Sequence, residues 1–311
     1  MIARDGGVMI PTPRRALAVL PILLIGAAPP PERVIRAGDL LSATIAGVPA
    51  RLLVDPGAPS FALVTADLAT RAQLKPGPFG LNYLVGPVRV PGRTAVVRVD
   101  LGNGEEKKRI GWTERPFVPG VDGSVGPGGL QDDVVRFVLR DARPDERETV
   151  LPMVDGGGLF GGAVGLFGRI TLDGEPVRIR FDLRRRANMM SAGIALTVAR
   201  LHGGTLAKDA RSTEIAFGVE RPVRTMSLSR PLDIAALRIA RIDVRTGDFG
   251  NADGIATEAA AAAPDPDEVV VTAKGKRDRS RDRITIGADA LSACSSITFD
   301  KRAKLIRLRC G

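Results

Sequence analysis

Leu52-Leu53-Val54-Asp55-Pro56-Gly57-Ala58-Pro59-Ser60 carries an apolar run into a carboxylate and then at once into a Pro-Gly turn. The run is short and bounded by turn formers, which predicts a buried strand with Asp55 at its end. Upstream, Leu41 to Ile45 and Ala50 to Asp55 read as a hairpin about Ala46-Gly47-Val48-Pro49. Downstream, Phe61 to Leu74 reads as a short strand and then a helix, with Thr65 as N-cap and apolar residues at Leu68, Ala69, Ala72 and Leu74.

The arrangement occurs twice. Thr44 to Asp55 aligns with Thr171 to Asp182 at a constant offset of 127, with Thr, Gly, Pro, Arg and Asp in common. A helix-like Ala192 to Leu201 mirrors residues 65–74. Val125-Gly126 and Leu130 recur as Ile286-Gly287 and Leu291, the spacing having grown by 34 residues. Strand patterns fill the intervals, at Val85 to Val90, Thr94 to Leu101, Lys107 to Trp112 and Val134 to Leu139, and a polar stretch, Arg140 to Glu148, closes the first half. Most of the extra length is one insert, roughly 250–283, rich in Ala and Glu, then Pro-broken and acidic, then densely charged; it reads as a flexible surface loop.

Composition agrees with a β-rich globular chain. Of 311 residues, 44% are hydrophobic, and the 36 Gly and 23 Pro supply many turns. Arg14 and Arg15 followed by the apolar Ala16 to Ala28 read as a secretory signal, too short to span a bilayer, so 1–30 is expected to be signal and linker and the mature chain to carry no membrane span. An exported, periplasmic or secreted protein follows. Cys294 and Cys310 lie symmetrically about residue 302; a hairpin turning at Lys301 to Ala303 would face them across two strands as a disulfide, the alternative being two buried thiols. The net charge of +10 comes from arginines spread along strands without interleaved aromatics. That favours a solvated basic surface over nucleic-acid binding.

The Asp55 segment resembles the D-T/S-G-A signature of retropepsin-like aspartic peptidases, and the later apolar-Gly-x-x-x-Leu segment matches that family's second element in both halves. The resemblance spans about 40–310 without the insert. It implies a mainly β fold of two duplicated retropepsin-like acid-protease lobes, each with a short helix, at about 31–150 and 151–311. It implies Asp55 and Asp182 as a catalytic pair sharing one proton, Gly57 in contact with a peptide or protein substrate, and no cofactor. The sequence departs from the pattern at Pro56 and Pro59, and at Leu183 and Arg184 after Asp182. Pro56 has neither hydroxyl nor N–H. An arginine facing the pair would favour both carboxylates ionised and remove the shared proton.

Other chemistries have little support. His202, the single histidine, reads as a helix C-cap residue, and no G-x-S-x-G elbow exists for a serine triad. One His and two Cys make no zinc set. Gly156 to Gly161 matches G-x-G-x-x-G but runs on into further glycines, which reads as a loop between lobes rather than a dinucleotide site. Tyr83 and Trp112 read as core or surface aromatics, with a flap over a groove as the alternative. Asp267 to Ala273 resembles the short energy-coupling segment of TonB-dependent outer-membrane receptors, and could add as a strand to a partner's sheet. Two readings therefore stand side by side: an aspartic endopeptidase homologue with weakened catalysis, and a non-enzymatic module that binds a protein partner.

Overall fold

Alternation of buried and exposed residues sets the strands. In the computed structural model, which describes residues 31–156, 161–248, 250–258 and 279–311, the first half runs β1 (Glu32–Arg36), β2 (Leu40–Ile45), β3 (Val48–Val54), β4 (Leu63–Thr65), α1 (Ala66–Arg71), β5 (Gly80–Val85), β6 (Val88–Asp100), β7 (Glu105–Thr113), β8 (Gly123–Val125) and β9 (Val134–Val138). The second half runs β10 (Arg147–Asp155), α2 (Gly161–Val164), β11 (Leu166–Leu172), β12 (Glu175–Asp182), β13 (Met189–Ser191), α3 (Ala192–His202), β14 (Gly204–Leu206), β15 (Arg211–Ala216), β16 (Val219–Ile234), β17 (Leu237–Arg245), β18 (Arg283–Gly287), α4 (Ala288–Leu291), β19 (Cys294–Asp300) and β20 (Leu305–Cys310). The protein is mainly β with short helices. The proposed signal at 1–30 and the 267–273 segment lie outside the described residues.

The first hairpin is tighter than the sequence suggests. Ala46 and Gly47 alone make the turn, both left-handed with φ of 48° and 82°, and Asp173 and Gly174 repeat this at 53° and 75°. Val85 to Val90 is not one strand; Gly86 and Pro87 turn β5 into β6. The polar stretch before Glu148 gives way at Arg147 to β10. Thr65 caps α1, its Oγ1 accepting the Leu68 N–H at 3.1 Å. Gly203, left-handed at φ 64°, ends α3 after His202.

The insert is shorter than expected. Ala252 and Ile255 are buried, and Thr257 bridges to Leu206, so 250–258 packs onto the body. After the glycine run a single helical turn, α2, precedes β11, too short to serve a dinucleotide.

Pairing is the same in both halves. β3 lies parallel to β8, while β4 is antiparallel to β8 and parallel to β7. Likewise β12 lies parallel to β18, while β13 is antiparallel to β18 and parallel to β17. The inward residues, Ala50, Leu52 and Val54 on β3 and Val177, Ile179 and Phe181 on β12, are buried. This wiring brings the ends of β3 and β12, and hence Asp55 and Asp182, out at equivalent points.

The halves are joined by a shared sheet in the order β1-β9-β19-β20-β10-β11. The C-terminal hairpin β19–β20 thus sits between β9 of the first half and β10. Cys294 and Cys310 are opposed on this hairpin and form a disulfide with Cα atoms 3.8 Å apart. The register is not the simple one: Ser296 pairs with Arg309, and a bulge at Ser295 restores Cys294 to its partner. Among the described residues no helix is long and apolar enough to cross a membrane.

Candidate functional site

Each aspartate is the last polar group of a buried strand and caps the turn that follows. Asp55 accepts the Gly57 N–H on Oδ1 at 2.7 Å, and Asp182 accepts the Arg184 N–H on Oδ1 at 3.1 Å. Both side chains are almost fully buried. The glycine just after β8 and the one that ends β18 make this packing available. A Cβ on Gly126 would meet the Ala58 carbonyl at 2.3 Å, and one on Gly287 would meet the Arg186 carbonyl at 2.3 Å. The apolar-Gly pattern is therefore a requirement for backbone to press on backbone beneath each turn.

The two turns meet. A Cβ on Gly57 would lie 2.7 Å from the Phe181 carbonyl and 3.1 Å from Cβ of Asp182. Gly57 thus holds the halves together at the aspartates by having no side chain. Pro56, without an N–H, leaves the Asp55 turn to be closed by Gly57 and by the Ala58 N–H, which reaches the Asp55 carbonyl at 3.0 Å.

Arg184 stands between the carboxylates. Its Nε is 3.6 Å from Asp182 Oδ1 and 4.0 Å from Asp55 Oδ1, and this buried nitrogen makes no hydrogen bond. The guanidinium is held from the other side: Nη1 donates to the Phe117 carbonyl at 3.2 Å, and its carbon lies 4.4 Å from the centroid of the Phe117 ring.

The two carboxyls are pushed apart. Burial, and then the Asp182 charge, raise Asp55 to about 7 against the pull of Arg184, the Gly57 N–H and Arg180. Burial also opposes ionisation of Asp182, but Arg184, Arg180, Arg185 and the Arg184 N–H outweigh it and hold this carboxyl below its ordinary value. Arg184 favours the ionised form of both groups, as expected, but at Asp55 burial and the Asp182 charge outweigh it. It sits nearer Asp182, and burial decides Asp55.

Two hairpin tips close over this region. Tyr83 near the β5–β6 turn packs on Phe217 of the β15–β16 turn with centroids 4.8 Å apart, and Phe217 packs edge-on against Phe117 at 5.2 Å. Gly86 abuts Asp248 and Arg221. Tyr83 is therefore a hairpin contact, whereas Trp112 is core. A larger depression of about 450 Å³, between Gln73, Val97 and Arg109, includes neither aspartate. His202 is the last residue of α3, Gly203 rather than His202 is its C-cap, and the His202 Nδ1 lies 3.1 Å from the Arg230 carbonyl of β16. Among the described residues no cluster of three or more His, Cys, Asp or Glu is placed to hold a metal.

Sequence reading named Asp55, Asp182, Gly57 and Arg184, and the structure brings all four together. It missed Phe117 and the hairpin tips, which reach the site only through tertiary packing. It also missed Arg180, which alternation with Asp182 on one strand could have flagged.

No family model matches this chain, and no curated protein does. Among solved structures, EIAV protease complexed with the inhibitor HBY-793 is similar over 35% of this chain and 92% of that one, at 18% identity and a TM-score of 0.23.

Proposed function

We propose that this chain is an exported, two-lobed retropepsin-like aspartic peptidase homologue that holds an extended peptide between its halves and cleaves it slowly. The observation that carries this reading is the buried pair Asp55 and Asp182 on one guanidinium, with their titrations driven in opposite directions. Between the low range in which Asp182 takes up its own proton and about pH 7, Asp55 keeps a proton while Asp182 is ionised. Asp182 can then take a proton from a water as it attacks the peptide carbonyl, and Asp55 can donate one to the carbonyl oxygen. Weak turnover is expected because Arg184 and Phe117 stand where substrate would lie and the hairpin tips must part first.

A second reading is a binding module without hydrolysis. It is favoured by the same Arg184–Phe117 contact, which fills the space in front of the carboxylates. Incubation with a complex peptide mixture from about pH 3 to 7, beside Asp55→Asn and Arg184→Gly, separates the two. New termini that vanish in Asp55→Asn and multiply in Arg184→Gly support the peptidase. Folded protein that yields no cleavage in any variant rejects it and leaves the binding module.

A further inference from the structure

In the second half lies a cavity of about 30 Å³ whose walls include Asp182 together with Arg180, Arg185, Arg245 and Arg283. Strand register puts them there. Alternation along β12 sets Arg178, Arg180 and Asp182 on the face opposite Val177, Ile179 and Phe181. On the parallel neighbour β18, Arg283 lies beside Arg178 and Thr285 beside Arg180. β13 and β17 add Ser191 opposite Arg245. Ser191 and Thr285 also line the cavity.

The four guanidiniums are not equally matched. Arg245 donates through Nε to Asp248 at 2.6 Å, and Arg185 donates to the Glu214 and Ile215 carbonyls at 3.0 and 3.1 Å. Among the described residues, the Arg180 and Arg283 side chains make no hydrogen bond and no ion pair within 4 Å, while the Arg283 backbone N–H donates to the Ser191 hydroxyl oxygen at 3.4 Å. Of the acids at hand, Asp182 lies nearest Arg184 and is shared in charge with Arg180 and Arg185, and Asp282 accepts the Ser191 hydroxyl at 3.4 Å. Burial, then the neighbouring arginines, push Arg283 down to about 9. Like charges gathered out of water cost stability unless something answers them.

The fold does not ask for these arginines. Where Arg180 lies beside Thr285, the equivalent pair of the first half is Leu53 beside Ser124. Where Arg245 faces Ser191, the first half has Thr113 facing Thr65. Where Arg178 and Arg283 lie abreast, Asp122 accepts the Arg51 N–H at 2.8 Å. One wiring thus carries an apolar, hydroxyl and acidic set in one half and a basic set in the other.

We infer that the cavity is a binding site for a small oxyanion of carboxylate size, received by Arg180 and Arg283 with the Ser191 and Thr285 hydroxyls beside them. A planar guanidinium matches a carboxylate through two parallel hydrogen bonds. The volume exceeds the roughly 10–15 Å³ that one water needs, and it is far too small for a nucleotide. The source is either a free ion or a carboxylate of a bound peptide. As a peptide subsite next to Asp182 the assignment rests on the peptidase reading; as an oxyanion site it stands without it.

Thermal unfolding of the full chain in sodium acetate, against sodium chloride at equal ionic strength, tests this. The wild type is expected to show a saturable rise in Tm with acetate beyond that in chloride. Arg283→Gln should start at or above the wild-type Tm without acetate, because a repulsion is removed, whereas Arg180→Gln also gives up an attraction to Asp182. Each should then need about tenfold more acetate for the same rise, while the exposed Arg98→Gln responds as wild type. Equal shifts in both salts, or an undiminished acetate response in both variants, would overturn the site. Calorimetric titration of the wild type with acetate and chloride needs no variant, and equal heats there would overturn it too. Trialanine with a free carboxylate, compared with its C-terminal amide, separates the sources: a response to the acid alone supports the peptide subsite, and no response to either rejects that subsite while acetate binding keeps the free-ion site. Acetate binding intact with no peptide cleavage rejects the peptidase reading alone.

Discussion

At the residue scale, Asp55 and Arg184 decide what the site can do. Asp55 is held at about 7, far above an ordinary carboxyl. A folded-state value above the unfolded one means stability that is full below the unfolded value and is lost as pH rises through 7. Asp55→Asn should therefore be more stable than wild type at about pH 8, on the order of 4 kcal/mol, and close to it near pH 4; urea unfolding at both pH values measures this. Asp182 has the opposite sign: held low, it contributes stability above its ordinary range that is lost as pH falls through its folded value. Because Arg184 lowers Asp55, Arg184→Gln should move the Asp55 carboxyl higher still, as ¹³C NMR titration would show. An unchanged midpoint would mean that the 4.0 Å contact carries no charge coupling. That an arginine follows Asp182 is plain in the sequence. Its contact with Phe117 is not, because residues 117 and 184 meet only when both halves are folded.

At the element scale, Gly126 just after β8 and Gly287 at the end of β18 are equivalent supports. Gly126→Ala and Gly287→Ala each drive a methyl into backbone, at 2.3 Å in both cases, where no side chain can yield. Each should cost at least about 1–3 kcal/mol, read as a lower urea midpoint. If one substitution is silent, the two supports are not equivalent. The repeat made both glycines visible in the sequence, since Val125-Gly126 with Leu130 and Ile286-Gly287 with Leu291 each follow an aspartate and helix and precede a strand. The C-terminal hairpin was legible for a different reason: two cysteines about a short polar turn. Its bulge was not, since a one-residue shift of register leaves the same alternation. Replacing Cys294 and Cys310 by Ala opens a loop of sequence separation 16 and should cost about 3 kcal/mol, measured against the oxidised wild type.

At the scale of the whole molecule, the shared sheet makes the two halves interdependent. β19 pairs with β9 of the first half and β20 with β10, so the last residues of the chain complete a sheet begun by the first described ones. Deleting 294–311 should leave β9 and β10 without partners and abolish cooperative unfolding of the entire chain, first half included. A truncated protein that still shows a cooperative transition would mean that the first half stands alone. The sequence by itself determined the local units: which runs are strands, where the aspartates end them, that the pattern is repeated, and that two cysteines can pair. Period-two alternation and turn chemistry act between near neighbours, so they can be read in one dimension. Only the tertiary structure decided that Asp55 and Asp182 share one guanidinium, that two distant hairpin tips cover them, and that four arginines line one cavity. Those facts depend on which strand lies beside which and on how deeply each group is removed from water, and neither is written in the spacing of residues along the chain.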